Sequence, residues 1–185
     1  MNHAATSREE LLAASLRLTA EEGFASLNMR RVAREAGVSV GCVYRYFSTK
    51  AELTAAAVGK VWESIFDRAD RGGAMGGFPA CAARLYDCIR SGSDEYPAFF
   101  VSHALFFGSA EKGEGRAAME HCLDRVRAIL LAALAADSRV RPDIFGGDFT
   151  PESLVALVFD HLLLLATKGA QSCTDLIALL VKLLY

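Results

Sequence analysis

Apolar residues recur at three- and four-residue spacings along nearly the whole chain. Nowhere do they alternate at period two for long, so the pattern predicts an all-α protein. The first helix begins at Thr6 or Ser7, because Thr6 with Glu9 and Ser7 with Glu10 each fit a capping box. Its inward stripe is Leu11, Leu12, Ser15, Leu16 and Thr19; Gly23 ends it and Phe24 anchors the turn. Asn28 caps a short second helix over 29–36 with Met29, Val32 and Ala33 inward. Gly37 suits a left-handed cap. Ser39 then opens a third short helix over 40–47, where Val43 and Phe47 share the inner face.

Thr49 and Glu52 form another capping box, opening a helix that can run from 50 to 71, roughly 33 Å at ~1.5 Å per residue. "RGGAMGGFP" is the clearest break in the chain. Further helices are predicted over 79–91, 95–107, 116–136, 151–168 and 174–184. Thr150-Pro151 supplies a cap followed by proline at the first helical position. "DSRVRPDIFGGD" is a loop, and there is no internal repeat.

Charge changes the picture locally. The 185 residues carry a formal net charge of only −2, which does not advertise nucleic-acid binding. Residues 28–50, however, hold Arg30, Arg31, Arg34, Arg45 and Lys50 against Glu35 alone, a net of +4. Residues 61–185 hold 12 cations and 16 acids, a net of −4. A basic patch on a mildly acidic body is an electrostatic footprint for DNA. The five cysteines form no CxxC pair, and "MNHAATSREE" has no apolar core of a signal peptide. Both point to a reducing, cytoplasmic setting. The run "LLLLA" is too short to span a bilayer.

The second and third helices, joined by "AGVS", make a helix-turn-helix, in which the later helix enters the major groove. With Val43 and Phe47 inward, Val40, Gly41, Tyr44 and Arg45 face out. Gly41 admits close backbone approach, and Val40 can meet a thymine methyl. Tyr44 offers a ring and a hydroxyl, and Arg45 a planar fork. Lys50 opposes the macrodipole at the start of its helix, a placement better explained if it faces a phosphate.

Residues 8–53, "REELLAASLRLTAEEGFASLNMRRVAREAGVSVGCVYRYFSTKAEL", resemble the DNA-binding domain of the tetracycline-repressor (TetR) family of bacterial regulators. The resemblance covers about a quarter of the chain. It implies a homodimer reading a near-palindromic operator, usually as a repressor. By position it implies that Arg30, Val40, Gly41 and Tyr44 meet bases, and that Cys42, Arg45, Tyr46 and Lys50 lie at or near phosphates. Cys42 stands where the family usually has Thr or Ser, and a thiol is a weak donor. Thr19 replaces an aromatic, and Leu27 a threonine. The implied fold is an N-terminal three-helix domain, 1–49, joined by a long helix 4 to a helical effector-binding and dimerisation domain, 50–185.

The acidic remainder has two uses to support. Helices 151–168 and 174–184 are apolar all round and must be covered on every face. Leu154, Leu157, Val158, His161, Leu162, Leu165, Leu176, Leu179, Leu180 and Leu183 are therefore expected at a four-helix dimer interface. In "DEYPAFFVSHALFFG" the stripe Tyr96, Phe99, Phe100, His103, Phe106 and Phe107 could line a pocket with Trp62 and Phe66, which suggests a small lipophilic or aromatic effector. The plain alternative is ordinary core.

No zinc-type ligand spacing, GxSxG, HExxH or phosphate loop occurs, so neither an enzyme nor a metal or cofactor is expected. The reading is a DNA-binding transcriptional regulator, a repressor released by such an effector. The alternative is a regulator whose C-terminal domain is only a dimerisation scaffold, or responds to a protein partner or thiol oxidation.

Overall fold

The computed structural model describes residues 6–23, 26–70, 76–96 and 114–185, without the side chains of Phe66, Ala69, Asp70 and residues 114–122. The predicted helix over 95–107 lies beyond position 96 outside them, as does Phe24. Among the described residues there are eight α-helices: α1 Arg8–Glu22, α2 Met29–Glu35, α3 Val40–Tyr46, α4 Lys50–Asp70, α5 Gly77–Glu95, α6 Glu114–Ala136, α7 Pro151–Thr167 and α8 Thr174–Leu184. None is long and apolar enough to cross a membrane. The chain divides into two compact units, Met1–Glu63 with Gly92–Cys122, and Ser64–Ser91 with Leu123–Tyr185.

Local chemistry sets most boundaries of the first unit. Of the two candidate boxes for α1, Ser7 with Glu10 is realised. The Glu10 N–H donates to Ser7 Oγ at 3.1 Å and the Ser7 N–H to the Glu10 carboxylate at 2.9 Å. Leu11, Leu12, Ala14 and Leu18 are buried, whereas Leu16 is only half-buried because the stripe leans toward Leu18. Ser15 and Thr19 are buried too. Each hydroxyl donates at 2.8 Å to a carbonyl one turn earlier, so neither is left unpaired. Asn28 accepts from the Arg31 N–H at 3.0 Å, and Ser39 from Cys42 at 3.2 Å.

Between α2 and α3, Gly37 has φ +69°. The Val38 N–H reaches Ala33 O at 2.9 Å and the Gly37 N–H reaches Arg34 O at 3.2 Å, the two bonds of a Schellman turn. Met29, Val32 and Ala33 of α2 and Val43 and Phe47 around α3 are buried. Burying each large apolar side chain is worth about 1.5–3 kcal/mol, enough to hold two seven-residue helices that would not persist alone.

The second unit is organised by a polar knot. Asp137 follows α6, and its carboxylate accepts the Phe78 N–H at 2.9 Å, Arg139 Nε at 3.0 Å and the Tyr185 hydroxyl. A carboxylate at a helix N-terminus is favoured by the macrodipole. This explains why α5 starts two residues earlier than its sequence pattern predicts. Gly77, with φ +80°, leaves room there, since a Cβ would lie 2.1 Å from the Asp137 carboxylate oxygen. Arg141 ties the same loop to the end of α8, donating to Leu183 O at 2.7 Å and Leu184 O at 2.9 Å. The loop carries a 3-10 turn, Pro142–Ile144, and a bridge between Gly146 and Phe149. On α7 the Thr150 cap and Pro151 stand as expected. Leu154, Val155, Val158, Phe159, Leu162 and Ala166 are buried.

Candidate nucleic-acid interface

α3 turns one face in and one out. Val43 and Phe47 are fully covered, while Tyr44 is 53% exposed and Gly41 and Arg45 are exposed beside it. Val40 and Cys42 are half-buried. Arg30 at the start of α2 and Lys50 at the start of α4 are exposed, and neither makes an ion pair among the described residues. Apart from Tyr46, the residues nominated for DNA thus stand at the starts of α2 and α4 and along α3.

The geometry sorts the local cations. Arg31 is held by Glu22 through two hydrogen bonds; this pairing is the main reason the Glu22 carboxyl lies below its usual range. Arg17 takes Glu35 at 2.8 Å. The remaining positive charge of the motif is therefore Arg30, Arg34, Arg45 and Lys50. Arg34 is exposed one turn after Arg30 and was not singled out from the sequence; the i,i+4 spacing from Arg30 was the available signal.

Two nominated groups have partners of their own. Arg45 Nη2 donates to Cys42 Sγ at 3.2 Å, so the thiol faces the guanidinium along the helix. Tyr46 turns away from Tyr44, and its hydroxyl donates to Thr6 O at 2.6 Å.

At the start of α4, Thr49 Oγ1 accepts the Glu52 N–H at 3.0 Å, as the capping box requires. The return bond goes to the Ser48 N–H at 2.7 Å instead of to Thr49, so one more loop donor is satisfied by the protein itself.

The effector and dimer nominations fare differently. Phe99, Phe100, His103, Phe106 and Phe107 lie outside the described residues, as does the side chain of Phe66. Trp62 is fully buried. Tyr96 is half-exposed and lines an open hollow of about 340 Å³ with Ala13, Leu16, Arg17, Ala20 and Glu95; Trp62 is not part of that lining.

Of the dimer set, Leu154, Val158, Leu162 and Leu180 are 0–4% exposed and covered by the chain's own packing. Leu157 is 63% and Leu179 61% exposed, His161 is exposed, and Leu165, Leu176 and Leu183 are half-buried. Leu164 and Val181 extend the exposed apolar surface and were missed, because a helix apolar all round gives no phase from which to pick its outer face.

Residues 11–57 match the model of the bacterial regulatory proteins, tetR family. A transcriptional regulator from Rhodococcus sp. Rha1 is 26% identical, with a TM-score of 0.68 over 92% of this chain and 87% of that one. Residues 11–57 thus match the DNA-binding domain of the TetR family. The chain is also similar to the HTH-type transcriptional repressor KstR of Mycolicibacterium smegmatis, 39% identical over 72 residues, 39% of this chain and 35% of KstR. The match spans about a third of the length of that curated relative. The fold as a whole is shared with the transcriptional regulator FadR of Bacillus subtilis, solved in complex with stearoyl-CoA. That structure has a TM-score of 0.70 at 16% identity, over 96% of this chain and 95% of the other.

Proposed function

We propose that this chain is a TetR-family, sequence-specific DNA-binding transcriptional regulator, not an enzyme. In this reading it works in the cytoplasm as a homodimer on a near-palindromic operator, as a repressor released by a small lipophilic or aromatic effector. The observation that carries the reading is the outer face of α3. Tyr44 and Arg45 are exposed while Val43 and Phe47 are wholly buried, which leaves a short helix with an anchored back and a polar, cationic front. Residues 1–49 are the DNA-binding domain and 50–185 the effector and dimer domain. Arg30, Val40, Gly41 and Tyr44 approach bases, while Arg45 and Lys50 approach phosphates, which supply affinity without sequence information.

The effector half rests on two supports. One is the aromatic segment from Tyr96 to Phe107. The other is the fold shared with a regulator solved with a bound acyl-CoA. α4 begins at Lys50 and runs 21 residues, so a ligand that moved it would move a DNA contact. Only a ligand with different affinity for the two states can do so. Exposed Leu157 and Leu179 support a second copy of this chain as the partner of α7 and α8.

Selection of sites from a random DNA library by the purified protein, followed by binding across salt, tests the reading. A recovered palindrome is expected. Sequence-indifferent binding that vanishes with salt would sink it. Operator binding unaffected by any apolar ligand would leave the C-terminal domain a dimerisation scaffold.

A further inference from the structure

The motif "VYRYF" carries two tyrosines two positions apart, and a helix sends such residues to different faces. Tyr44 goes to the exposed front. Tyr46, the last residue of α3, goes back, half-buried, and spends its hydroxyl on Thr6 O at 2.6 Å, 40 residues upstream. A phenol has one hydrogen to donate. Given to Thr6, it is not available to a phosphate oxygen, which can only accept.

The receiving end is packed and capped. Thr6 is buried and directly precedes the capping box of α1. The Glu10 carboxyl of that box is held below its usual range, by the Ser7 N–H first and the Thr6 hydroxyl second. A second tie runs alongside: the Arg8 guanidinium lies 4.9 Å from the centre of the Phe47 ring. Two consecutive residues at the end of α3, Tyr46 and Phe47, thus hold Thr6 and Arg8 at the start of α1.

We propose that Tyr46 is a positioning residue, setting the angle of the recognition helix through Thr6 rather than touching DNA. This rests on the DNA-binding reading above. The bond acts at the far end of a seven-residue helix whose near end does the reading, so a small rotation about Val43 displaces Val40 and Tyr44 together.

The test is Tyr46→Phe in the full chain, which removes one oxygen and keeps the ring. Three measurements are made: amide hydrogen exchange of free protein, operator affinity across salt, and phosphate-ethylation interference. Free Tyr46→Phe should exchange faster in the first turn of α1, at Leu11 above all. It should bind the operator about three- to tenfold more weakly, the effect of one lost hydrogen bond. The salt slope and the set of interfering phosphates should match wild type. Unchanged exchange in α1, unchanged affinity, or loss of a single phosphate from each half-site overturns the proposal. Wild-type protein that selects no site overturns the DNA-binding reading and this inference with it. A selected site with one phosphate lost in Tyr46→Phe overturns the inference alone.

Discussion

α3 and α8 are both short helices with one face buried and the other open, yet their open faces are opposites. α3 buries Val43 and shows Tyr44 and Arg45; α8 buries Leu180 and Leu184 and shows Leu179 and Val181. The buried faces obey the same physics and reveal only that each helix is packed. Under the proposed function the outward faces differ because their partners differ. A polyanion wants cations and hydrogen-bond donors, while an apolar surface wants leucine. Leu179, 61% exposed, and Val181 give the proposed partner an apolar surface to cover.

The comparison breaks first at the apolar side. Leu157→Glu with Leu179→Glu should yield monomers by sedimentation and cut operator affinity about 10²–10⁴-fold, since each half-site then binds alone. Dimers that survive both charges would mean that these leucines face something else. On the polar side, Tyr44→Ala should lose about 1–3 kcal/mol per half-site while leaving sedimentation unchanged. Normal operator binding by that variant would show that the front of α3 is docked differently.

The knot at Asp137 asks what holds the apolar half in shape. Asp137→Ala should lower the unfolding free energy by about 2–3 kcal/mol in denaturant melts, because it removes charge-assisted hydrogen bonds to Arg139, Tyr185 and Phe78.

The pH dependence follows from the sign of each shift. Bonding to Arg139, chiefly, holds the Asp137 carboxyl well below its usual range, so the unfolded chain takes up that proton first. Its contribution is whole above the ordinary aspartate pKa and drains as pH falls below about 4. The Tyr185 phenol, by burial first and Asp137 second, is pushed up to about 12. Its contribution is whole below its ordinary value of about 10 and is lost as pH climbs from there to about 12. Tyr185→Phe should shrink the alkaline limb and, by removing one donor to Asp137, trim the acid limb as well; an alkaline limb of wild-type size would place that titration elsewhere.

Smaller effects sharpen the polar side. Lys50→Ala should weaken binding to all DNA alike and flatten the salt slope by about one unit per protomer. A changed sequence preference would assign Lys50 to bases. Arg17→Ala, which loses an exposed pair with Glu35, should cost no more than about 0.5 kcal/mol in thermal melts. A larger loss would make that pair part of the fold's support.

What could be read from residue order is what neighbours three or four positions apart decide. The caps Asn28, Ser39 and Thr150 and the left-handed Gly37 follow from contacts within one turn of the backbone. The front of α3 was legible for the same reason, since Val43 and Phe47 fix the phase of so short a helix.

Other features belong to contacts that sequence distance hides. α5 begins at Gly77 because a carboxylate 59 residues away meets its N-terminus. Tyr46 faces Thr6 because folding carries the start of α1 to the end of α3. Which leucines of α7 and α8 stay exposed could not be chosen from a pattern apolar on every side. Burial is settled by what packs against a helix, and only tertiary structure supplies that partner.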